Sequence, residues 1–232
     1  MKITKNGFYT LKGHRGKLSE LKTKKLIIGD NLVVIIFDDI NKNIDIDIGE
    51  NSRVEFYGVG ENENEYKINF IQNKKSSTLL VKYLLLSKNN NKLKVKIASE
   101  LSASFVKSNI KIISIVGNNG LVDIDGIIQI NKGIKKVDGN LIEENLFLGN
   151  SGKVKGIPTL LVRSSDVKAS HSCKIERIND DQLFYLRSRG IGRENALSMV
   201  IEARIKSLFL CLSMVDNDFY EKLINNIIKK GI

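Results

Sequence analysis

The stretch Ile44-Asp45-Ile46-Asp47-Ile48 alternates strictly between apolar and acidic residues, and this pattern decides the fold class. Alternation with a period of two is typical of a β-strand with one buried face and one solvated face. The pattern recurs at Leu93–Ile97 (LKVKI) and Val122–Asp125 (VDID), while Leu32–Phe37 and Ile110–Val116 are largely β-branched runs of strand length. The first three quarters of the chain are therefore predicted to be mainly β.

Short breaks rich in Asn and Gly separate these segments, for example Gly117–Gly120 (GNNG) and Asp138–Asn140. Both residue types tolerate the left-handed backbone conformation that tight turns need. No amphipathic segment of helical length interrupts the stretch, which excludes a doubly wound α/β domain. Many short strands fit a sandwich, a barrel or a β-solenoid, and the periodicity alone does not choose among them.

The pattern changes to helical near residue 179. We predict helices over Gln182–Arg189, Glu194–Leu212 and Phe219–Lys230, with Gly190 as the left-handed stop of the first. The predicted organisation is a basic N-terminal arm (1–25), a β region (26–178) and a C-terminal helical region (179–232).

The net charge of the 232-residue chain is +11, and the arm alone contributes +7, with eight Lys or Arg residues against Glu20. Such an arm is typical of contact with nucleic acid or an acidic partner, or it is a solvated surface. No basic stripe with interleaved aromatics of the RNA-binding type occurs, so nucleic-acid binding is the weaker alternative.

The arm has no apolar run, and the longest one elsewhere, Leu32–Phe37, is too short to span a bilayer. Two cysteines rule out a disulfide framework. We therefore expect no secretory signal and no membrane contact, with the protein in the cytoplasm or another reducing compartment such as an organellar matrix.

Motifs of nucleotide and metal enzymes are missing: there is no GxxxxGK[ST], no GxGxxG after a strand and no HExxH. A polysaccharide-active enzyme remains an alternative. The absence of Trp and the 6% aromatic content leave such an enzyme little surface for stacking on sugars.

Ser170-His171-Ser172-Cys173 is the segment with the clearest chemical potential. On a strand, His171 and Cys173 share one face. Imidazole and thiolate together form a partial site for iron, zinc or an iron–sulfur cluster, which a second chain would have to complete. The alternative is a packed core pair at a strand end. Cys211 is expected to be a helix core residue, and His14 an exposed loop residue.

The stretch from Pro158 to Gly190, PTLLVRSSDVKASHSCKIERINDDQLFYLRSRG, resembles the C-terminal core of the SufB/SufD family, the scaffold subunits of the SUF iron–sulfur cluster assembly machinery. The family pattern is a proline before a strand, an acidic-valine pair, a tripeptide such as SHG, and a segment similar to EEQLFYLRSRGI. Asp166-Val167, Ser170–Ser172 and Asp181–Ile191 fill the last three places.

The resemblance implies a right-handed parallel β-helix followed by a small C-terminal helical region. It also implies a non-catalytic scaffold that pairs through its β-helix and docks a SufC-like ABC ATPase, which hydrolyses the ATP. His171 matches the histidine that the family links to the nascent cluster, whereas Cys173 rests on local spacing alone. The expected cofactor is a transient iron–sulfur cluster or iron, with ligands completed by a second subunit.

For the ATPase contact, the expected segment is the turn Arg187–Gly192 and the helix that follows it, with the aromatics of the preceding short helix beside the turn. The candidate residues are Phe184, Tyr185, Arg187, Arg189 and Gly190. The alternative is that the aromatics close the open end of the β-helix.

The chain also departs from the SufB pattern. No cysteine precedes Cys173, and Ser-His-Ser is nearer the SufD-like form. We therefore expect a short SufD-like or minimal SufBD protein, paired either with a cysteine-bearing homologue or with a second copy. In a homodimer, two His171 and two Cys173 side chains could converge.

Overall fold

The computed structural model describes residues 1–11, 24–38, 43–61, 64–178 and 180–229, and it shows a solenoid of parallel β-strands followed by three helices. The strands are β1 (Lys2–Ile3), β2 (Gly7–Thr10), β3 (Lys25–Ile28), β4 (Val33–Asp38), β5 (Ile44–Asp47), β6 (Arg53–Glu61), β7 (Asn64–Gln72), β8 (Thr78–Ser87), β9 (Lys92–Leu101), β10 (Lys107–Val116), β11 (Leu121–Ile130), β12 (Val137–Phe147), β13 (Lys153–Lys155), β14 (Thr159–Val162) and β15 (Val167–Arg177). The helices are α1 (Asp180–Ser188), α2 (Arg193–Val215) and α3 (Asn217–Lys229).

The described strands form two sheets, and successive coils of the chain add to them in turn. The open sheet has the order β1-β3-β5-β7-β9-β11-β13, with β14 also pairing with β11. The covered sheet has the order β2-β4-β6-β8-β10-β12-β15. The pairs are parallel; Ile110 of β10, for instance, lies between Val81 of β8 and Leu141 of β12. This topology confirms the predicted β-solenoid and excludes an antiparallel sandwich.

Alternation along each strand sends one set of side chains into the solenoid. Val81, Ile110 and Leu141 belong to one continuous buried cluster between the sheets. Apolar residues stacked coil upon coil supply the hydrophobic stabilisation of the fold.

One corner of the solenoid is a column of residues in the left-handed conformation. Their φ angles lie between 51° and 65° at Asn31, Asn51, Ser76, Phe105 and Lys136. Backbone amides in this column donate to the next coil, as Asn51 N does to Lys75 O at 3.0 Å. Of the two breaks named from the sequence, Gly117–Gly120 does join β10 to β11, with Asn119 at φ 57°. The break predicted at Asp138–Asn140 is wrong, because these residues lie inside β12.

Helices α2 and α3 pack on the outer face of the covered sheet. A second buried cluster joins Tyr57 and Ile113 of that face to Ile205 and Phe209 of α2. The Phe209 ring centroid lies 6.3 Å from that of Tyr57 and 6.5 Å from that of Phe37. The helical region is thus anchored to the solenoid by apolar and aromatic contacts.

The helix boundaries differ slightly from the predicted ones, mainly because α2 runs three residues past Leu212 to Val215. Gly190 has φ +84° and follows α1, as predicted. No helix in the described part of the chain combines the length and the apolarity needed to cross a membrane.

The described part of segment 1–25 contributes strands to the solenoid. Lys2–Ile3 pairs with β3 in the open sheet, and Gly7–Thr10 pairs with β4 in the covered sheet. His14 lies outside the described residues. The division of the chain into three parts stays a prediction.

Candidate functional site

The site forms where the solenoid ends. Pro158 precedes β14, as predicted, and β14 pairs with residues 127–130 of β11. After a short turn, β15 runs beside β12 over eleven residue pairs. Within the described residues, β15 is the last strand of the covered sheet, and no strand pairs with its other edge.

The structure places His171 and Cys173 two residues apart on β15. His171 lies opposite Leu141 of β12, and Cys173 lies opposite Glu143. Leu141 and Glu143 are buried, so both site residues occupy the inward-facing row of the terminal coil. Neither is covered, because the solenoid stops there, and the alternative of a packed core pair is therefore wrong for the single chain.

Asn145 holds the Cys173 sulfur. Its Nδ2 lies 3.5 Å from Cys173 Sγ, and its Oδ1 accepts a hydrogen bond from Ser114 Oγ at 2.6 Å. The bond to Ser114 fixes which way the amide points, so that its NH₂ group faces the thiol. A polar chain thus runs from the end of the solenoid into β10.

The Cys173 thiol is held in its neutral form. Partial burial raises its pKa, the negative charge of Glu143 raises it further, and the hydrogen bond from Asn145 acts in the opposite direction. A thiol of this kind is a weak nucleophile, and it becomes a strong donor only when a metal displaces its proton.

Glu143 is the functional candidate that sequence reasoning missed. It is 1% exposed, and its Oε1 has no hydrogen-bond partner among the described residues. Burial raises the pKa of this carboxyl to about 7, with a further contribution from Asp125. The signal was present in the alternation, since Val137, Gly139 and Leu141 place Glu143 at an inward position.

The residues proposed for the ATPase contact lie at the surface. Phe184 is 69% and Tyr185 62% exposed, so these two aromatics do not close the end of the solenoid. The Arg189 guanidinium lies 4.7 Å from the Tyr185 ring centroid. Arg187 is in the last turn of α1, which ends before Gly190. The arrangement is an exposed aromatic surface with two cations beside it.

Cys211 lies apart from this site. It is half-buried in α2 and packs against the cluster between helix and sheet, as predicted for a helix core residue. The Lys82 Nζ atom is 3.9 Å from its sulfur. The described residues include no group of three or more His, Cys, Asp or Glu side chains placed to hold a metal ion.

Comparisons with known proteins find relatives for most of this chain. A family model described as "SUF system FeS cluster assembly, SufBD core domain" matches residues 40–204. The iron–sulfur cluster assembly protein SufD of Escherichia coli is 34% identical over 131 residues, which cover 56% of this chain and 31% of that protein. A SufBD family protein of Mycobacterium leprae is 27% identical over 106 residues, covering 46% of this chain and 12% of the relative. A SufBD family protein of Staphylococcus haemolyticus is 33% identical over 88 residues, covering 38% and 19% respectively.

The matched regions span about a third or less of the length of these relatives. The family match itself extends over more than half of the present chain, and it includes the terminal strand with His171 and Cys173. The chain therefore belongs to the SufBD family of iron–sulfur cluster assembly proteins.

Proposed function

We propose that this chain is a scaffold subunit of a SUF-type complex and that it pairs with a second β-solenoid through β15. The observation that carries the proposal is the uncovered terminal strand with a thiol and an imidazole on its inward row. A long strand with an unpaired edge is a template for pairing with another chain. Ile175, 69% exposed on the same strand, adds apolar surface for that contact.

The second subunit is a copy of this chain or a cysteine-bearing homologue. His171 and Cys173 are donors suited to iron or an iron–sulfur cluster, and the remaining ligands come from across the interface. The cluster is cargo that is built and passed on, so an incomplete set of ligands in one chain fits its transient stay. An exposed thiol also fits a reducing compartment such as the cytoplasm.

The C-terminal region is the proposed docking surface for a SufC-like ABC ATPase. Exposed Phe184 and Tyr185 supply apolar contact area, while Arg187 and Arg189 supply charge. Aromatic and arginine side chains are the residue types that most often anchor protein interfaces. ATP hydrolysis belongs to the partner in this proposal, and the present chain is a non-catalytic scaffold.

Anaerobic reconstitution with iron and sulfide tests the cluster site. Wild type and the control Cys211→Ser should gain iron and acid-labile sulfide, whereas His171→Ala and Cys173→Ser should lose most of both. The experiment is done alone and with a SufB-like subunit, and gel filtration of each sample reports pairing. Equal cluster content in Cys173→Ser and wild type would remove Cys173 from the site.

A pull-down with a SufC-like ATPase tests the docking surface. Arg189→Glu should weaken capture, because it reverses a charge beside the exposed aromatics. Lys222→Glu, an equal charge change on the exposed side of α3, is the matched control and should bind as wild type does. Undiminished capture by Arg189→Glu would count against this surface.

A further inference from the structure

Glu143 is a buried carboxyl group in the terminal coils of the solenoid. The side chain continues the inward row of β12 and is 1% exposed, and its Oε1 accepts no hydrogen bond from the described residues. A buried carboxylate oxygen in that state is costly unless something else satisfies it. The space exists because the facing residue is Gly126, where a Cβ would overlap Glu143 Oε1.

The Cys173 sulfur lies at the mouth of the same space. Cys173 is the register neighbour of Glu143 across β12 and β15. Its Sγ is held by Asn145 Nδ2 at 3.5 Å, and Asn145 is the next inward residue after Glu143 on β12. The carboxylate and the thiol are therefore adjacent on one row, with the carboxylate deeper and the thiol at the open end.

We propose that Glu143 and Cys173 form a mixed oxygen and sulfur donor pair for a borderline divalent cation such as Fe²⁺ or Zn²⁺. Thiolate sulfur binds zinc at about 2.3 Å and carboxylate oxygen at about 2.0–2.2 Å. A sulfur donor discriminates against Mg²⁺ and Ca²⁺, which prefer oxygen ligands alone. On binding, the thiol proton and the proton of any protonated Glu143 carboxyl are released to solvent. Glu143 Oε1, which accepts no hydrogen bond from the described residues, then becomes a metal ligand.

This inference rests on the proposed role of Cys173 as a ligand, and it adds a second donor from the same chain. With this pair, a single subunit binds a metal ion before it pairs with the second subunit. With only two donors, the other positions belong to water, to His171 on the same row, or to the second subunit.

Co²⁺ binding to the purified protein tests the pair. Every variant is made in a Cys211→Ser background, so that Cys173 is the only thiol. A thiolate-to-cobalt charge-transfer band reports bonding to sulfur, and competition with Zn²⁺ gives the affinity. Glu143→Gln keeps the size of the side chain and removes the carboxylate. Glu144→Gln, on the outward row of the same strand, is the matched control.

We expect a charge-transfer band in the parent protein and no band in Cys173→Ser. The affinity of Glu143→Gln for the metal ion should be at least about tenfold lower than that of the parent, which is the effect typical of residues that support a metal site. Glu144→Gln should bind as the parent does. Equal affinity of Glu143→Gln and the parent overturns the donor pair but leaves Cys173 a ligand. Absence of the band in the parent overturns both, whereas ATPase capture still tests the scaffold role separately.

Discussion

Replacing Glu143 with glutamine should stabilise the protein above neutral pH and have little effect in acid. The carboxyl has a pKa of about 7 in the folded chain, against an ordinary value of 4.5. A group with a raised folded pKa supports the fold fully below the unfolded pKa, and this support is lost as the pH rises through the folded pKa. Stability should therefore fall between about pH 4.5 and pH 7 because of this one residue.

The size of the effect follows from the same two values. The difference between about 7 and 4.5, at about 1.4 kcal/mol per pH unit, corresponds to about 3 kcal/mol at pH 8. Burial is the larger cause of the raised pKa and the charge of Asp125 the smaller. Glutamine carries no charge, so it escapes both penalties at every pH.

Urea unfolding of the metal-free protein at pH 5, 6, 7 and 8 measures the effect. The free energy of unfolding of Glu143→Gln should exceed that of wild type by about 3 kcal/mol at pH 8, and the difference should shrink towards zero at pH 5. Glu144→Gln is the control, because its carboxylate pairs with Lys111 at 2.8 Å on the outer face. It should cost at most about 1 kcal/mol, equally at pH 7 and pH 8. A difference between Glu143→Gln and wild type that does not change with pH would refute the reasoning.

Three further substitutions test the packing around the site and the core. Gly126→Ala should lower the free energy of unfolding by about 1–3 kcal/mol, because the new Cβ overlaps the Glu143 carboxylate; in a double-mutant cycle the loss should be smaller when Glu143→Ala is also present. Tyr83→Phe should cost about 2 kcal/mol in urea unfolding, since Tyr83 OH donates to the buried Asp38 Oδ2 at 2.7 Å. Phe209→Ala should cost about 3–5 kcal/mol, because the ring packs between helix and covered sheet. The half-exposed neighbour change Leu210→Ala should cost no more than about 0.5 kcal/mol, and equal losses at the two positions would contradict the packing seen.

Most strands could be predicted from the sequence because alternation is a local signal. The segment Val122–Asp125 falls inside β11, and Leu93–Ile97 falls inside β9. The parallel pairing was not readable in this way, since it depends on contacts between distant parts of the chain; the family resemblance supplied it. The sequence pattern also failed to predict where some strands begin. β10 begins at Lys107, three residues before the predicted run, because inward Ser108 is a polar residue satisfied by Ser99 Oγ at 2.9 Å.

The candidate site was only half predictable. Spacing on a strand gave the shared face of His171 and Cys173, and the structure places them on one row of β15. Glu143 was missed because the register of β12 against β15, which brings it beside Cys173, is not a property of either segment alone. Glu143 and Glu144 are adjacent in the sequence, but their carboxylates lie on opposite faces of β12.

The terminal strand is also joined to the helical region, and this connection bears on how the two proposed interfaces relate. Arg204 of α2 donates from Nη2 to Glu176 Oε1 of β15 at 2.8 Å, and Lys174 Nζ lies 2.7 Å from Glu176 Oε2. The Glu176 side chain is only 14% exposed, so replacing Arg204 while α2 stays in place would leave a mostly buried carboxylate without that partner. The strand with the candidate ligands and the helix next to the candidate docking surface are therefore held to one another by a charged contact whose loss is costly.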